Sequence, residues 1–153
     1  QLTESDAEVI VDFPRSVEEL FYLFPRAEYP LKPDVLIRES QCRLFPTVVF
    51  KNSVVAGYGN LMNVEEGSHG SIGNVIVNPG VRNQGVATYL VNLLSQQATE
   101  SLNVREIRIS CFNQNSAGLI LYHKLGFVPF DMEVRTNFNG DAVSLIHMRK
   151  VAI

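Results

Sequence analysis

The stretch Asn74-Val75-Ile76-Val77-Asn78-Pro79-Gly80-Val81-Arg82-Asn83-Gln84-Gly85-Val86-Ala87-Thr88 joins a short apolar run to a loop that opens directly into a helix pattern. The first N–H groups of any helix lack intrahelical acceptors, and the aligned peptide dipoles gather partial positive charge there. With glycine at 80 and 85 and alanine at 87, nothing bulky blocks approach to that entrance, so it could hold a pyrophosphate largely through main chain. The same glycines would also serve a plain tight strand-to-helix turn, and a lone glycine pair more often does only that. Other nucleotide-binding patterns are absent. There is no GxxxxGK[ST], and Gly57-x-Gly59 runs into Asn60-Leu61-Met62 with neither the third glycine nor a helix pattern behind it. Gly67, Gly70 and Gly73 precede a strand, where they would ease a bulge or a close backbone approach.

A second segment follows in order. Asn115-Ser116-Ala117-Gly118-Leu119-Ile120-Leu121-Tyr122-His123-Lys124-Leu125-Gly126-Phe127 begins with a polar residue at a strand end, runs through a short helix and finishes with Tyr-x-x-x-Gly-Phe. The remaining reactive types are less informative. His69, His123 and His147 show no i, i+4 or HxH spacing, which argues against a metal site. His123 is expected to face solvent. Cys111 and Phe112 read as core, and Cys42 as a buried small hydrophobe with no histidine placed beside it by any motif.

These segments need elements to hold them. Five of the seven prolines fall within the first 46 residues, so the N-terminal third is short pieces. Ser5 or Asp6 can cap a helix ending near Pro14. Ser16 with Glu19 forms a capping box for Val17 to Leu23, and Pro33 with Asp34 opens a helix toward Leu44. From Thr47 the period becomes that of strands: 47–50 and 54–62 as a hairpin across Lys51-Asn52-Ser53, then 71–78. Val86, Tyr89, Leu90, Leu93 and Leu94 mark an amphipathic helix. Ile107, Ile109 and Cys111 alternate as a half-buried strand, and 116–124 is a helix stopped by Gly126. Strands 127–135 and 142–148 flank the turn sequence Asn137 to Asp141. The pattern is helices, then β-β-β-α-β-α-β-β.

Composition bounds the rest. The 153 residues suit one domain, residues 1–153, and 46% hydrophobic with 19% charged residues excludes disorder. A formal net charge of −3 gives no basic excess for phosphates along a duplex, so no nucleic acid is expected as partner. Apolar runs such as Leu119 to Tyr122 fall far short of the ~18 residues that cross a bilayer, so no membrane span is expected. Residues 1–6 have neither a positive start nor an apolar run, so no signal peptide is expected there. Two cysteines without CxxC spacing, and no N-x-[ST] sequon, favour a reducing, cytoplasmic location.

Arg82-x-x-Gly85-x-Ala87 after a Val77-x-Pro79 strand, with Asn115 seven residues before Tyr122 and then Gly126-Phe127, resembles the GNAT superfamily of N-acetyltransferases. The resemblance covers about half the chain in motifs, and the strand order fits the remainder. It implies an α/β (α+β) fold with a mixed, mostly antiparallel, V-shaped sheet flanked by helices, and acetyl-CoA in the gap as co-substrate, with no metal. By position, the backbone of Val75 to Val77 would run beside the pantetheine. The amides of Asn83, Gln84, Gly85, Val86, Ala87 and Thr88 would hold the pyrophosphate. Arg82 begins the signature and Asn115 would contact the cofactor. Tyr122 would act as general acid. A phenol of ordinary pKa ~10 can return a proton to a leaving thiolate, whose thiol sits near ~8.5, and a backbone N–H near Val77 could polarise the thioester carbonyl.

The chain departs from the family pattern in two places. Gly118 stands where alanine is usual, which costs ~1 kcal/mol of helix stability unless close packing requires it. The general base is missing: Ser71 and Ser110 stand where relatives often carry glutamate. Glu65, Glu66 or water are the substitutes, or the acceptor arrives already neutral and none is needed, and Asn74 and Asn113 could line the acceptor side or satisfy strand-end backbone. The acceptor, a small-molecule or peptide amine, would lie between the N-terminal helices and the last hairpin. There Phe21, Tyr22, Phe24 and Tyr29 could wall a pocket, and the acidic set Glu4, Asp6, Glu8, Asp12, Glu18 and Glu19 would favour a cationic amine. The last strands could pair in a homodimer. Two functions follow: acetyl transfer to an amine, or, because the base is missing, a non-catalytic CoA-binding sensor.

Overall fold

The computed structural model describes residues 2–152. In chain order these form α1 (Glu4–Ile10), α2 (Val17–Leu23), α3 (Pro33–Gln41), β1 (Leu44–Lys51), β2 (Val54–Glu65), β3 (His69–Val77), a 3-10 turn (Pro79–Val81), α4 (Val86–Leu102), β4 (Glu106–Phe112), α5 (Ser116–Lys124), β5 (Val128–Thr136) and β6 (Ala142–Val151). The expected order of elements holds, and the bounds of α2 and α5 coincide with those read from the sequence. Some local details differ. Thr3, not Ser5 or Asp6, caps α1, with Asp6 closing a reciprocal capping box. The buried stripe of α4 is Val86, Leu90, Val91, Leu94 and Ala98, while Tyr89 is 62% exposed. Cys42 is exposed at the end of α3, because the helix stops there and turns its side chain outward.

The six strands make one mixed sheet in the order β1-β2-β3-β4-β6-β5, antiparallel except between β3 and β4. That parallel contact is short. It joins His69 through Ile72 to Glu106 through Ile109 and then stops. Beyond it β3 stays with β2 as far as Val77 pairing Gly57, and β4 stays with β6 as far as Phe112 pairing Leu145. The two half-sheets therefore diverge, opening a V at the carboxyl ends of β3 and β4.

A bulge helps drive them apart. Between the pairs Tyr58–Ile76 and Asn60–Gly73, β3 carries one residue more than β2, and Asn74 sits at φ +52° within the surplus. An extra residue on one strand bends it and raises its local twist. Gly73 lies at the same place, and a Cβ there would force the Met62 side chain to move.

Helices cover both faces. Leu90, Leu94 and Tyr122 share one core with Leu61, Ile72, Ile107, Ile109 and Phe127. Ile10, Leu20 and Leu36 from the first three helices share another with Val55, Tyr58 and Ile76. Because α4 follows β3 and α5 follows β4, both helices begin at the open end of the V.

Candidate active site

The two helix entrances are built differently. Gly85 is the N-cap of α4 at φ +81°, a conformation that costs an L side chain roughly 1–2 kcal/mol. No side chain caps this helix and no acid lies in its first turn. The first helical bond runs from Tyr89 N–H to Gly85 C=O at 3.0 Å, so the amides of Val86, Ala87 and Thr88 precede the ladder. Just before them, Asn83 also has positive φ (60°) while Gln84 does not. Such alternation of sign curls successive N–H groups into an anion-sized concavity. Asn115, by contrast, caps α5, its Oδ1 accepting from Gly118 N–H at 3.0 Å. Gly118 is there for space: a Cβ would lie 2.8 Å from Asn115 Nδ2 and 2.9 Å from Cys111 Sγ.

Two side-chain contacts at the α4 loop were not foreseen. Lys51 donates from Nζ to Gln84 Oε1 at 2.7 Å, bringing a cation from the end of β1 to the concavity. Arg82 is committed elsewhere, its guanidinium gripping Glu19 by two bonds of 3.0 and 3.1 Å. That grip, outweighing burial and helped by Arg15, holds the Glu19 carboxyl down at about 2. The expected capping box is therefore half made. Ser16 Oγ accepts from Glu19 N–H at 3.1 Å, but the carboxylate reaches Arg15 N–H and the two arginines instead.

Along the V, Gly73 through Val77 have no strand partner on the β4 side, so Val75 and Val77 lie on an open edge leading toward α4. Tyr122 is 7% exposed and meets Phe127 edge-on, with ring centroids 6.1 Å apart. Burial and Cys111, and no hydrogen bond, shape the surroundings of its hydroxyl. Burial, with a smaller push from Cys111, drives it far above the ordinary phenol range. The Cys111 thiol is likewise pushed up to about 12 by burial and sits as an inert core group.

On the other face of the V is a cavity of about 530 Å³ between α2, α3 and the last hairpin, within the range of small-molecule sites. Tyr22 and Phe24 line it as anticipated; Phe21 instead stacks in the core on Phe112, and Tyr29 is exposed away from it. Tyr22 donates to Glu18 Oε1 at 2.8 Å, and burial with that carboxylate raises its phenol to about 12. Asn74 lines the cavity while donating to Leu23 C=O at 2.6 Å. Asn113 only satisfies β6 backbone, accepting from Ser144 N–H at 3.0 Å.

Two expectations about the acceptor side are corrected. Glu65 ends β2 and Glu66 opens the turn to β3, where Gly67 N–H bonds Leu102 C=O at the far end of α4. A helix of 17 residues puts them on the order of 25 Å from its entrance. None of the acidic residues of the first two helices lines the cavity, because Glu18 and Glu19 are spent on Tyr22 and Arg82 and the α1 acids face solvent. What sequence reading passed over is His147. Pairing Ser110 across β4 and β6 puts its Nδ1 2.7 Å from Ser110 Oγ inside the cavity, with Nε2 3.5 Å from Glu133 Oε1. The one sequence signal was Ser110 itself, at the position where the family pattern has a glutamate.

The model of the acetyltransferase (GNAT) family matches residues 12–127, spanning both motifs and the V. This chain belongs to the GNAT acetyltransferase family. No curated protein sequence is a significant match. Among solved structures, yncA from Salmonella typhimurium, determined with its cofactor acetyl-CoA, aligns over 99% of this chain and 91% of its own with TM-score 0.77 at 18% identity. The spermidine N-acetyltransferase of Vibrio cholerae, solved with CoA and spermine, aligns over 99% and 92% with TM-score 0.78 at 20% identity. The ribosomal-protein-alanine N-acetyltransferase of Brucella melitensis aligns over 98% and 96% with TM-score 0.77 at 18% identity. At these identities the likeness is one of fold. Among the described residues no helix is long and apolar enough to cross a membrane, and no group of three or more His, Cys, Asp or Glu could hold a metal.

Proposed function

We propose that this GNAT acetyltransferase is an N-acetyltransferase that moves the acetyl group of acetyl-CoA directly onto an amine. One observation carries the reading: the bare edge of β3 leads to the uncapped α4 entrance, where main-chain donors lack partners, and a cavity lies on the other face of the V. The residues fit acetyl-CoA. Val75 and Val77 would lie along the pantetheine, the amides from Asn83 to Thr88 with Lys51 would hold the pyrophosphate, and Arg82 would contribute through main chain. Asn115 has a free Nδ2 at the α5 entrance to offer the same ligand.

In this mechanism the acceptor ammonium gives a proton to His147, directly or across Ser110, and the neutral nitrogen attacks the acetyl carbon. The oxyanion that forms takes hydrogen bonds from open-edge N–H groups of β3. The C–S bond then breaks, Tyr122 protonates the thiolate, and the remaining amine proton restores the phenol through solvent. The high phenol value is no obstacle. The burial that lifts Tyr122 also lifts the Cys111 thiol to about 12, so a thiolate leaving into this environment is more basic than in water.

The competing sensor reading rested on the absence of a base, and His147 weakens it. Acetyl-CoA should stabilise the protein to heat under either reading. Only a transferase releases CoA thiol when amines are supplied, and a chain that binds acetyl-CoA yet acetylates no amine would be the sensor. The exposed Met132 and Val134 on edge strand β5 fit pairing with a second copy, and two unpaired cysteines fit a cytoplasmic location.

A further inference from the structure

The chain as a whole is acidic, with a formal net charge of −3, but its acceptor cavity is not. Four arginines line the cavity, Arg26 after α2, Arg38 on α3, Arg43 before β1 and Arg135 on β5, against one carboxylate, Glu39. These cations are only partly neutralised. Arg135 is held by Glu133, and Arg43 reaches Glu39 at a long 3.4 Å. The Nε of Arg43 is buried with no acceptor at all among the described residues, although leaving a buried N–H unpaired is unfavourable. Arg26 and Arg38 form no ion pair with any described residue. A cavity that concentrates positive charge on a negative protein is poorly suited to a polycation, since field is focused in clefts with low-dielectric walls.

Resting on the transferase reading, we infer that the acceptor is an amine that also bears a carboxylate, a free amino acid or close analogue, whose carboxylate is held by the Arg26, Arg38 and Arg43 side of the cavity while its nitrogen faces Ser110 and His147. A guanidinium offers a planar fork of donors that fits a carboxylate bidentately. The available volume, about 530 Å³, suits a molecule of that size. The arrangement also helps the chemistry. Cations near an ammonium lower its pKa, so the arginines that fix the carboxylate also ease proton loss from the nitrogen to His147. The other charged groups facing this region are Glu133, beside Arg135 and His147, and Glu18, behind Tyr22.

The test is thiol release from acetyl-CoA by the full chain, comparing free L-amino acids with the same compounds as C-terminal amides and with spermidine. Amino acids should exceed their amides at least tenfold in kcat/KM and exceed spermidine by more. Arg38→Gln should raise the amino-acid KM about tenfold at nearly unchanged kcat and leave the amides unaffected, and Arg26→Gln, in an exposed loop, should do the same to a smaller degree. Amides or spermidine used as well as amino acids, or a preference untouched by both variants, would overturn the inference while the transferase reading stood. If no amine releases thiol, the transferase reading falls. Calorimetry of free L-amino acids against CoA-loaded protein then decides the cavity assignment, with binding lost in Arg38→Gln supporting it and no binding refuting it.

Discussion

The two sides of the V use different parts of the chain. On the α4 side, the groups left available are main chain: an open strand edge, an uncapped helix entrance and a left-handed glycine, all contributed by residues 73–88. On the α2–α3 side they are side chains drawn from five separate places, including Tyr22, Arg38, Ser110, Arg135 and His147. Main-chain donors are the same at every position, so the first side suits an invariant part such as a diphosphate. Side chains vary freely, so the second can be respecified while the frame stays. In the proposed mechanism Tyr122 acts at their junction; it lies next to Cys111, which is close enough to influence both Tyr122 and Tyr22.

If the junction does chemistry that neither side supplies alone, Tyr122→Phe should lower kcat by about 100-fold or more while leaving the acetyl-CoA Kd within twofold. Stopped-flow turnover beside titration calorimetry would show it, and an unaltered kcat would remove the acid from the junction. The main-chain character of the α4 side is probed next by Gly85→Ala. A Cβ there meets nothing within 4 Å, so only the φ of +81° is penalised, and the ~1–2 kcal/mol of strain should weaken acetyl-CoA binding about tenfold without changing the amine KM. An equal loss on both substrates would mean the two sides are not separable.

On the side-chain face, His147→Gln should cut kcat/KM about tenfold near neutral pH, and the deficit should shrink as pH rises and the acceptor loses its proton unaided. A uniform loss at every pH would make His147 a structural partner of Ser110 only. The smallest effect is expected where the two sides are tied together. Glu19→Gln removes the anchor of Arg82 and should cost about 1 kcal/mol, a value limited by the pair's partial exposure. The Glu19 pKa is depressed by folding, so its contribution is fully present above the unfolded value of 4.5 and fades as pH falls toward about 2. The gap between urea melts of the two proteins should therefore narrow steadily from pH 5 toward pH 2.5, and a gap as wide at pH 2.5 as at pH 7 would place the cause elsewhere.

What could be read in advance follows the same division. The strand, loop and helix from Asn74 to Thr88 are contiguous, as are Asn115 to Phe127, so glycine positions, helix period and motif spacing carried the cofactor side and the catalytic tyrosine candidate. Chemistry at the site was misjudged where a distant group intervened: Glu19 looked like the partner in a capping box and an acid for the acceptor until Arg82, 63 residues on, proved to hold it. His147 looked idle on a terminal strand because nothing near it in sequence is reactive.

The sequence by itself determined the elements, their order and the uncapped helix entrance at Gly85, since helix period, turn residues and glycine conformation act over a few neighbouring residues. Only the tertiary structure decided the acceptor side. Pairing β4 with β6 brings Ser110 to His147, and folding the first three helices across the V surrounds the cavity with arginines. Proximity between residues far apart in the chain comes from strand register and helix packing, and no local pattern encodes it.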